Sequence, residues 1–382
     1  MQVNSTYKVG ILGGGQLGKM MALAAANWDL QIWSLDKDSS FPAGTVSSKF
    51  IEGDFKNYDD VYQFGKQVDV LTIEIEHVNT DALLQLEKEG VKVHPRPAAL
   101  NIIKDKGLQK QFYAEHGLPT SKFKLYESGE AIQQAIADKK LRFPFVQKSR
   151  TAGYDGKGVA VIKNAADMDK LLMTASVIEP LVDNQKELAV IAARNERGEV
   201  TIFPCVEMEF HPVANLVEFL ICPANISPYI EAQTEELATQ IIEKFDICGL
   251  LAVEFFLTND NEILINEVAP RPHNSGHHTI DSCYTSQFQQ HLRAVTNFPL
   301  GSTKMKTPSV MVNLLGAADY TGQAVYENLD QVMAMEGVNL HLYGKTMTKP
   351  YRKMGHATVV AESTDRAREV AREVKEVLVI RA

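Results

Sequence analysis

Apolar residues along the chain recur in two spacings, and each spacing predicts a different kind of element. Two apolar runs, at residues 250–257 and 262–268, are separated by a polar break at residues 258–261. This pattern predicts a β-hairpin, because two strands flank a short polar loop. Residues 235–245 and 365–378 instead place apolar side chains three and four positions apart, which predicts amphipathic helices. We therefore expect a chain that mixes strands and helices.

Each strand of the predicted hairpin carries one carboxylate among apolar neighbours, Glu254 in the first and Glu267 in the second. If the polar break forms the loop, Leu257 pairs with Glu262 and Glu254 pairs with Ile265. Glu267 then lies diagonally across from Glu254 on the same face, because side chains alternate with a period of two. A register shifted by two would place Glu254 directly opposite Glu267, and a shift of one would separate them, so the pairing depends on the loop length. Two like charges on one buried face favour a cation between them, and carboxylates together with substrate phosphates commonly hold Mg²⁺. A pair of edge carboxylates that face water is the alternative.

The segment that follows the hairpin is rich in hydrogen-bond donors. It reads APRPHNSGH and includes Arg271, His273, Asn274 and Ser275. Pro272 stiffens this segment and removes a backbone donor. A loop of this composition suits an anionic ligand, and a solvated loop of chance polar content is the alternative.

The first apolar strand, at residues 7–12, runs into the glycine turn GGGQLG and an alanine-rich helix, and a second strand ends at Asp36. This matches the dinucleotide-binding fingerprint, so an NAD-dependent enzyme is one alternative. The weaker inference is a βαβ unit whose helix N-terminus can face an anion. A further strand at residues 68–76 ends in Glu76, on the same sheet edge as Gln16, where ligands of such sheets bind. Glu76 could instead cap the next helix, and we give this role the same weight as ligand binding.

A second glycine-rich loop lies between two apolar strands, the first ending in Lys148 and the second beginning at Val159. The loop reads RTAGYDGKG, and backbone N–H groups freed by glycine can cradle phosphates while a lysine reaches them. No helix follows, so a flap over nucleotide phosphates describes it better than a P-loop; a plain hairpin is the alternative. The preceding predicted helix carries Lys104, Lys106 and Lys110, and most such lysines are solvated.

Composition and charge narrow the function classes. The 382 residues are 45% hydrophobic and 23% charged, which is typical of a globular protein of two or three domains. A net charge of −9 without a run of Lys and Arg argues against nonspecific binding to nucleic acid or a membrane surface. The four cysteines form no CxxC pair and are interpreted as reduced thiols. We see no signal peptide and no apolar run near the ~20 residues of a membrane span, and expect a cytoplasmic protein.

Four motifs occur in an order and spacing that resemble one family: GGGQLGKMM, TAGYDGKG, NEVAPRPHNSGH and YRKMGH. With the paired glutamates they resemble the ATP-grasp superfamily and, within it, the ATP-dependent 5-(carboxyamino)imidazole ribonucleotide synthetases of bacterial purine biosynthesis. The similarity runs over nearly the whole chain. It implies an α/β and α+β protein, with a Rossmann-like pre-ATP-grasp domain at residues 1–103 and an ATP-grasp domain at residues 104–300. A flap subdomain at about 118–182 and a small α+β C-terminal domain at residues 301–382 complete this expectation.

The resemblance also implies a reaction that uses ATP and Mg²⁺. ATP phosphorylates bicarbonate to carboxyphosphate, and the amine of 5-aminoimidazole ribonucleotide is then carboxylated, with release of ADP and phosphate. Closure of the flap would keep water from carboxyphosphate. By the same resemblance we expect a homodimer. Another ATP-grasp ligase with a different acceptor and the NAD-dependent oxidoreductase are the two rivals, and a nucleotide sensor is a distant third.

Residue roles follow from the resemblance position by position. The metal would be held by Glu254 and Glu267. ATP would be bound by Lys106, Lys148, Gly153, Tyr154, Asp155, Gly156, Lys157, Gly158, Val159, Glu179, Pro180, Leu181, Val182, Glu187, His211, Asn266 and Glu267. In the catalytic set, Arg271, His273, Asn274 and Ser275 would face bicarbonate and the amine. Tyr154 and Asp155 would lie beside the reacting groups. The ribonucleotide would be bound by Gln16, Glu76, Lys345, Arg352 and Lys353. Within the ATP set, residues 179–182 would hold adenine and Glu187 the ribose.

One departure from the family pattern concerns His211. Members commonly carry Glu-Asn-x-His after the strand that here ends near Pro204, whereas this chain reads EMEFH at residues 207–211, followed by a longer loop. The nucleotide contact of that histidine is therefore either lost or made by His211 after a shift of one residue.

Overall fold

The structure, a computed structural model, describes residues 5–151, 153, 158–212 and 216–382. Its first unit consists of β1 (Lys8–Leu12), α1 (Gln16–Ala26), β2 (Gln31–Asp36), β3 (Lys49–Glu52), α2 (Tyr58–Gly65), β4 (Val70–Ile73), α3 (Thr80–Lys88), β5 (Lys92–Val93) and α4 (Pro97–Ile103). The strands form a parallel sheet in the order β3-β2-β1-β4-β5. The predicted βαβ unit is confirmed in β1, α1 and β2.

The strand predicted at residues 68–76 is shorter in the structure and ends at Ile73. Directly after the strand, the Glu74 carboxylate accepts hydrogen bonds from the amides of Gly15 and Gly18. Asn79, rather than Glu76, caps the following helix, since its side chain accepts from the amide of Ala82 at 2.9 Å.

The next segment forms a small antiparallel flap. Its elements are α5 (Lys106–Glu115), β6 (Lys124–Tyr126), α6 (Gly129–Ala137), β7 (Phe145–Ser149), β8 (Val159–Ile162) and β9 (Ser176–Pro180). The strands are ordered β6-β9-β7-β8, and Ile132 of α6 packs with Phe145 and Ile162 beneath them. The predicted strand–loop–strand arrangement around the second glycine-rich loop is confirmed by the pairing of β7 with β8.

One long antiparallel sheet connects the rest of the chain. Its first part contains β10 (Asn184–Arg194), β11 (Val200–Ile202), β12 (Val206–Phe210), β13 (Val217–Cys222), α7 (Pro228–Lys244), β14 (Gly249–Thr258), β15 (Ile263–Ala269), α8 (Thr279–Ser282) and α9 (Gln287–Val295). The second part contains β16 (Ser309–Leu315), β17 (Gly322–Gln323), β18 (Val325–Glu327), α10 (Leu329–Met333), β19 (Val338–Leu342), β20 (Met347–Thr348), β21 (Lys353–Val360), α11 (Thr364–Val377) and β22 (Val379–Arg381). The order β15-β14-β10-β12-β13-β16-β21-β19, with β11 beside β10, carries the sheet continuously past residue 300.

Helices cover this sheet and hold the first unit against it. Apolar side chains of α7 pack under β10 and β14, and the buried stripe of α11 packs on β16 and β21. Leu292 and Val295 of α9 share a core with Met21 of α1, so α9 packs against the first unit. Within the described ranges, no helix is both long enough and apolar enough to cross a membrane.

Candidate active site

The two predicted metal-binding carboxylates lie opposite each other on the hairpin of β14 and β15. Glu254 pairs directly with Glu267, whereas the next residue, Phe255, pairs with Ile265. Asn266 is therefore the extra residue of a β-bulge, which shifts the register of the ladder by one. The predicted pairing of Glu254 with Ile265 is wrong, but the prediction that both carboxylates share one face is confirmed.

The turn of this hairpin also differs from the prediction. Leu257 pairs with Ile263 instead of Glu262, because Glu262 stays in the turn. Its amide donates to the Thr258 hydroxyl at 3.0 Å, and its carbonyl accepts from the Thr258 amide at 2.9 Å. This slip of one residue alone would send the two carboxylates to opposite faces of the hairpin, and the bulge restores them to the same face.

Burial and mutual repulsion make the two carboxylates electrostatically unequal. Burial and the nearby charges of Glu267 and Glu187 raise the pKa of Glu254, whose side chain is only 14% exposed. The Lys106 ammonium contacts the Glu267 carboxylate and lowers its pKa. Burial also raises the pKa of Glu187, on the adjacent strand β10, to about 7. Three carboxylates on this face, Glu187, Glu254 and Glu267, thus share two nearby lysines, Lys106 and Lys148, and the face favours additional positive charge.

The donor set on this face fits a magnesium ion that is shared with phosphates. Among the described residues, no group of three or more His, Cys, Asp or Glu side chains is arranged to hold a metal by itself. Mg²⁺ is usually held by one or two carboxylates plus substrate phosphates, and it needs no complete protein cage. The opposed Glu254 and Glu267 match that share, and burial, followed by the charge of Glu267, raises the pKa of Glu254.

Behind the carboxylates lies a buried network of lysines. Glu179, at the end of β9 and 3% exposed, forms ion pairs with Lys110 and with Lys148, the latter at 2.6 Å. Lys148 also donates to the amide oxygen of Asn266 at 2.8 Å, which links the flap to the bulge of the hairpin. The predicted phosphate-binding Lys106 and Lys148 are therefore brought to the same carboxylate face. The side chain of Glu179 is engaged by these lysines. Of the predicted adenine-binding segment, residues 179–182, this leaves residues 180–182 to contact a nucleotide.

The flap loop is described at its two ends. Gly158 adopts a φ of +81°, and a Cβ added there would lie 3.1 Å from the Cα of Gly153, so the loop ends approach each other closely. Val159 begins β8 and pairs with Lys148. Tyr154, Asp155, Gly156 and Lys157, all of them predicted site residues, lie outside the described residues.

The loop after β15 carries four of the predicted catalytic residues to the same edge. Arg271 pairs with Glu76 at 2.8 Å, which joins the predicted catalytic set to the predicted ribonucleotide-binding set. The Nε2 atom of His273 lies 3.8 Å from a carboxylate oxygen of Glu254. Burial, with the charges of Arg271 and Lys353, lowers the pKa of His273 to about 4, so this ring is neutral at pH 7.

Two further features of this loop bear on ligand binding. The Ser275 amide donates to Nδ1 of His273 at 3.3 Å, which assigns the ring proton to Nε2, the atom near Glu254. Both polar atoms of the Asn274 side-chain amide are buried and have no hydrogen-bond partner among the described residues. A buried amide without partners indicates a place where a ligand or an ordered water completes the site.

The remaining predicted substrate residues meet across the cleft between the first unit and the C-terminal segment. The Lys345 ammonium donates to the Gln16 side-chain oxygen at 2.6 Å and to the Lys353 carbonyl at 2.6 Å. Arg352 donates to the carbonyl of Met347 at 2.7 Å. A direct hydrogen bond from Lys345 to Gln16 thus joins the basic side chains of the C-terminal segment to helix α1, which follows the glycine turn.

His211 follows β12 and lies near the same C-terminal segment. Its ring is 5.6 Å from that of Tyr351, and its Nε2 atom is 4.0 Å from a carboxylate oxygen of Glu218. The predicted nucleotide contact of His211 stays a prediction.

Models of known protein families match three successive segments of the chain. A model of the ribonucleotide synthetase preATP-grasp domain matches residues 6–104, a model of the ATP-grasp domain matches residues 111–288, and a model of the phosphoribosylaminoimidazole carboxylase C-terminal domain matches residues 309–370. The N5-carboxyaminoimidazole ribonucleotide synthase of Synechococcus elongatus is 36% identical, over 96% of this chain and 93% of that protein. The chain belongs to the N5-carboxyaminoimidazole ribonucleotide synthase family.

Solved structures of this family superpose over almost the full chain. The N5-carboxyaminoimidazole ribonucleotide synthetase of Thermotoga maritima is 42% identical, with a TM-score of 0.90, over 99% of this chain and 100% of that chain. The Aspergillus clavatus enzyme, in complex with ADP and 5-aminoimidazole ribonucleotide, is 32% identical, with a TM-score of 0.89, over 97% and 98%. The chain spans only 64% of a longer relative, the chloroplastic phosphoribosylaminoimidazole carboxylase of Vigna aconitifolia, to which it is 38% identical.

In this N5-carboxyaminoimidazole ribonucleotide synthase family member, the glycine turn is filled by the protein itself. The Glu74 carboxylate accepts from the amides of Gly15 and Gly18, and Asp36 accepts from the amide of Gly14 at 2.7 Å. These are the donors that would bind a dinucleotide pyrophosphate at the start of α1. Side chains of this chain thus accept from the amides that a dinucleotide would need at this helix N-terminus, which argues against the NAD-dependent alternative.

Two residues of this family site were not singled out by their sequence pattern. Lys110 lies one helical turn after Lys106 and so on the same face of α5, a spacing that was available as a signal. Glu74 lies two residues before Glu76, and no sequence signal distinguished a carboxylate that binds the glycine turn from one that faces a ligand.

Proposed function

We propose that the chain carboxylates 5-aminoimidazole ribonucleotide in a reaction that consumes ATP and bicarbonate. The products are 5-(carboxyamino)imidazole ribonucleotide, ADP and phosphate, as in the purine pathway of its relatives. The observation that carries the proposal is the opposed pair Glu254 and Glu267, with two lysines on one side and the His273 loop on the other. Family membership supports the same reaction.

The nucleotide half of the proposed site is built around Lys148. Glu179 and Asn266 hold this ammonium by two different polar contacts, so it is preorganised before a phosphate arrives. Glu187, with a pKa raised to about 7, accepts hydrogen bonds from ribose hydroxyls in its ionised form. We propose that the main chain of residues 180–182 reads the adenine edge and that Gly153, Gly158 and the loop between them cover the phosphates.

Magnesium is the proposed metal, and Glu254 and Glu267 would hold it. When bound, it would supply positive charge that offsets the negative charge of the phosphoryl group during transfer. Lys106, which contacts Glu267, would add a second positive charge on the same side. Removal of either carboxylate would leave the phosphates facing an incomplete set of charges.

The proposed chemistry has two steps that balance in atoms and charge. A bicarbonate oxygen attacks the γ-phosphorus of ATP, ADP leaves, and carboxyphosphate forms. The amine nitrogen then attacks the carboxyl carbon, the bond from that carbon to the phosphate oxygen breaks, and a proton passes from the nitrogen to the departing phosphate. Arg271 and the Nε2–H of neutral His273 donate hydrogen bonds to the anionic carboxyl oxygens, and the amide of Asn274 orients the bicarbonate. Tyr154 and Asp155 are proposed to close over the reacting groups.

The ribonucleotide half is proposed to bind the acceptor by its phosphate. Lys345, Arg352 and Lys353 supply the positive charge, and Gln16 and Glu76 supply polar contacts to the remainder of the acceptor. A ligand of this kind would bring its amine toward the His273 loop, because Glu76 pairs with Arg271.

The oligomeric state, the cellular compartment and the domain boundaries are part of the same proposal. We propose a homodimer in the cytoplasm, with functional boundaries near residues 103 and 300. Analytical ultracentrifugation of the purified protein measures the oligomeric state, and a monomer at micromolar concentration would remove the homodimer from the account.

The experiment that tests the proposed function is ADP release from Mg-ATP and bicarbonate, with and without 5-aminoimidazole ribonucleotide. We expect release to depend strongly on the ribonucleotide and to yield an acid-labile carbamate. The matched control is the nucleoside that lacks the 5′-phosphate. It should be a much poorer acceptor, because it has no phosphate for Lys345, Arg352 and Lys353 to bind. ADP release that ignores the ribonucleotide would contradict the proposed acceptor while leaving the ATP-grasp chemistry in place.

A further inference from the structure

Gln287, the first residue of α9, is fully buried against the His273 loop. Its side-chain oxygen accepts from the His273 amide at 2.8 Å, and its side-chain nitrogen donates to the His273 carbonyl at 2.8 Å. A main-chain N–H can only donate and a carbonyl can only accept, so the orientation of this amide group is fixed. One side chain therefore satisfies both polar main-chain atoms of His273.

The same side chain fixes the protonation of a second histidine. Its nitrogen lies 2.9 Å from Nδ1 of His277, which is also fully buried. Because the amide nitrogen only donates, Nδ1 of His277 accepts and the ring proton lies on Nε2. A charged His277 would turn an Nδ1–H toward the donor of Gln287, which is unfavourable in a buried place.

The loop packs too closely against Gln287 for either to shift independently. A Cβ added at Gly276 would lie 2.6 Å from the side-chain oxygen of Gln287 and 2.3 Å from Cδ1 of Ile191. The absence of a side chain at Gly276 therefore lets the loop lie directly on the amide of Gln287 and on β10.

We propose that Gln287 is a positioning residue for the acceptor half of the reaction: by holding the His273 main chain and the His277 tautomer, it places the His273 ring beside Glu254. This inference rests on the proposed function. Gln287 itself touches neither substrate nor metal in this account. It acts through the 3.8 Å separation of His273 and Glu254, which sets where a carboxyl anion can be bound by both groups.

The chain offers a closely matched control on the same helix. Gln290 is also fully buried, and it makes the same double contact with a main chain, at Gly301. Its nitrogen donates to the Gly301 carbonyl at 2.9 Å, and its oxygen accepts from the Gly301 amide at 2.8 Å. Gly301 lies outside every predicted site set, so replacement of Gln290 measures the structural cost of such a contact alone.

The experiment compares Gln287→Leu with Gln290→Leu in ribonucleotide-dependent ADP release. Both variants lose a double contact with a main chain, and Gln287→Leu also loses the contact with His277, so we expect its urea midpoint to fall at least as far as that of Gln290→Leu. Gln287→Leu should lower kcat by about 100-fold, the effect of a small misplacement of a catalytic group, with the KM for ATP little changed. Gln290→Leu should keep kcat near that of the wild type. Equal kcat values for the two variants would overturn the inference.

A second variant keeps the inference testable if Gln287→Leu does not fold. Gln287→Glu preserves size and the acceptor for the His273 amide but turns a carboxylate oxygen toward the His273 carbonyl. Protonation of that carboxyl restores a donor, so the deficit in kcat should shrink as the pH falls from about 8.5 to about 6. A deficit that does not change with pH would indicate a merely structural role and overturn the inference. ADP release by the wild type that ignores the ribonucleotide would instead overturn the proposed function beneath it.

Discussion

Replacement of Glu179 by glutamine probes the charge network behind the carboxylate face. The Glu179 carboxylate is 3% exposed and lies between Lys110 and Lys148, whose side chains are 4% and 12% exposed. Glutamine keeps the size of the side chain but removes its charge. Two ammonium groups then stay buried without the carboxylate that balances them, which is an unfavourable arrangement in a medium of low polarity.

Two routes give the magnitude of this effect. Removing one partner of a buried ion pair costs about 3–5 kcal/mol. Burial opposes ionisation of Glu179, yet Lys148 and Lys110 lower its pKa from an ordinary 4.5 to about 2, a change equivalent to about 3 kcal/mol. Because the folded pKa is the lower one, this contribution is fully present above about pH 4.5 and is lost as the pH falls toward about 2. We therefore expect Glu179→Gln to lower the free energy of unfolding by about 3 kcal/mol at pH 7.

Urea unfolding followed by circular dichroism measures this difference, with Glu207→Gln as the matched control. Glu207 also pairs with one lysine, Lys186, at 2.6 Å, but their side chains are 15% and 21% exposed and a second lysine is not involved. A partly solvated pair of this kind contributes about 1 kcal/mol at most. Glu179→Gln should also raise the KM for ATP, because Lys148 loses its charged partner and keeps the hydrogen bond to Asn266.

Equal losses of stability in the two variants would refute the reasoning. In that case the two buried lysines either lose their protons at little cost in free energy or move their ammonium groups into water. The network would then not hold Lys148 in place. An unchanged KM for ATP, together with the expected loss of stability, would retain the network as a structural feature and remove Lys148 from phosphate binding.

Three further predictions concern single residues of the carboxylate face and the glycine turn. Glu267→Gln should abolish ADP release and leave the circular dichroism spectrum unchanged, and near-normal activity would remove the metal assignment. Glu187→Gln should have a higher urea midpoint than the wild type at about pH 8, because burial raises the pKa of this carboxyl to about 7; the gap should close toward about pH 5, and a constant gap would contradict the assignment. Gly13→Ala, at a φ of +113° and with its Cβ 2.3 Å from Cγ of Glu74, should lower stability by about 2 kcal/mol, and an unchanged melting temperature would contradict this.

Local pattern was sufficient to predict the hairpin and its carboxylates. The alternation of apolar residues and the polar break indicated two strands, and they placed Glu254 and Glu267 on one face. The pairing itself depended on hydrogen bonds that leave no trace in hydrophobicity. Glu262 is retained in the turn by Thr258, and Asn266 is extruded as a bulge. The two shifts of one residue add up to a shift of two, which keeps both carboxylates on the predicted face.

Contacts between distant segments were harder to predict. Lys110 resembles any solvated helix lysine until β9 brings Glu179 against it, and Gln287 acquires its role only where the His273 loop folds onto α9. The continuity of the sheet past residue 300 depends on the pairing of β13 with β16, which are separated by the whole of the hairpin and α9. Motif resemblance supplied the site residues because it carries this long-range information, which the periodicity of one sequence lacks.

The central claim is that ATP phosphorylates bicarbonate and that the acceptor amine then displaces phosphate from carbon. Bicarbonate labelled with ¹⁸O tests it directly, with mass analysis of the phosphate formed in the presence of the ribonucleotide. The account predicts that one labelled oxygen moves from bicarbonate to each phosphate, because the attacking oxygen stays on phosphorus when the bond to carbon breaks. Phosphate that carries no label from bicarbonate would contradict the account, since its oxygen would then come from water or from another acceptor.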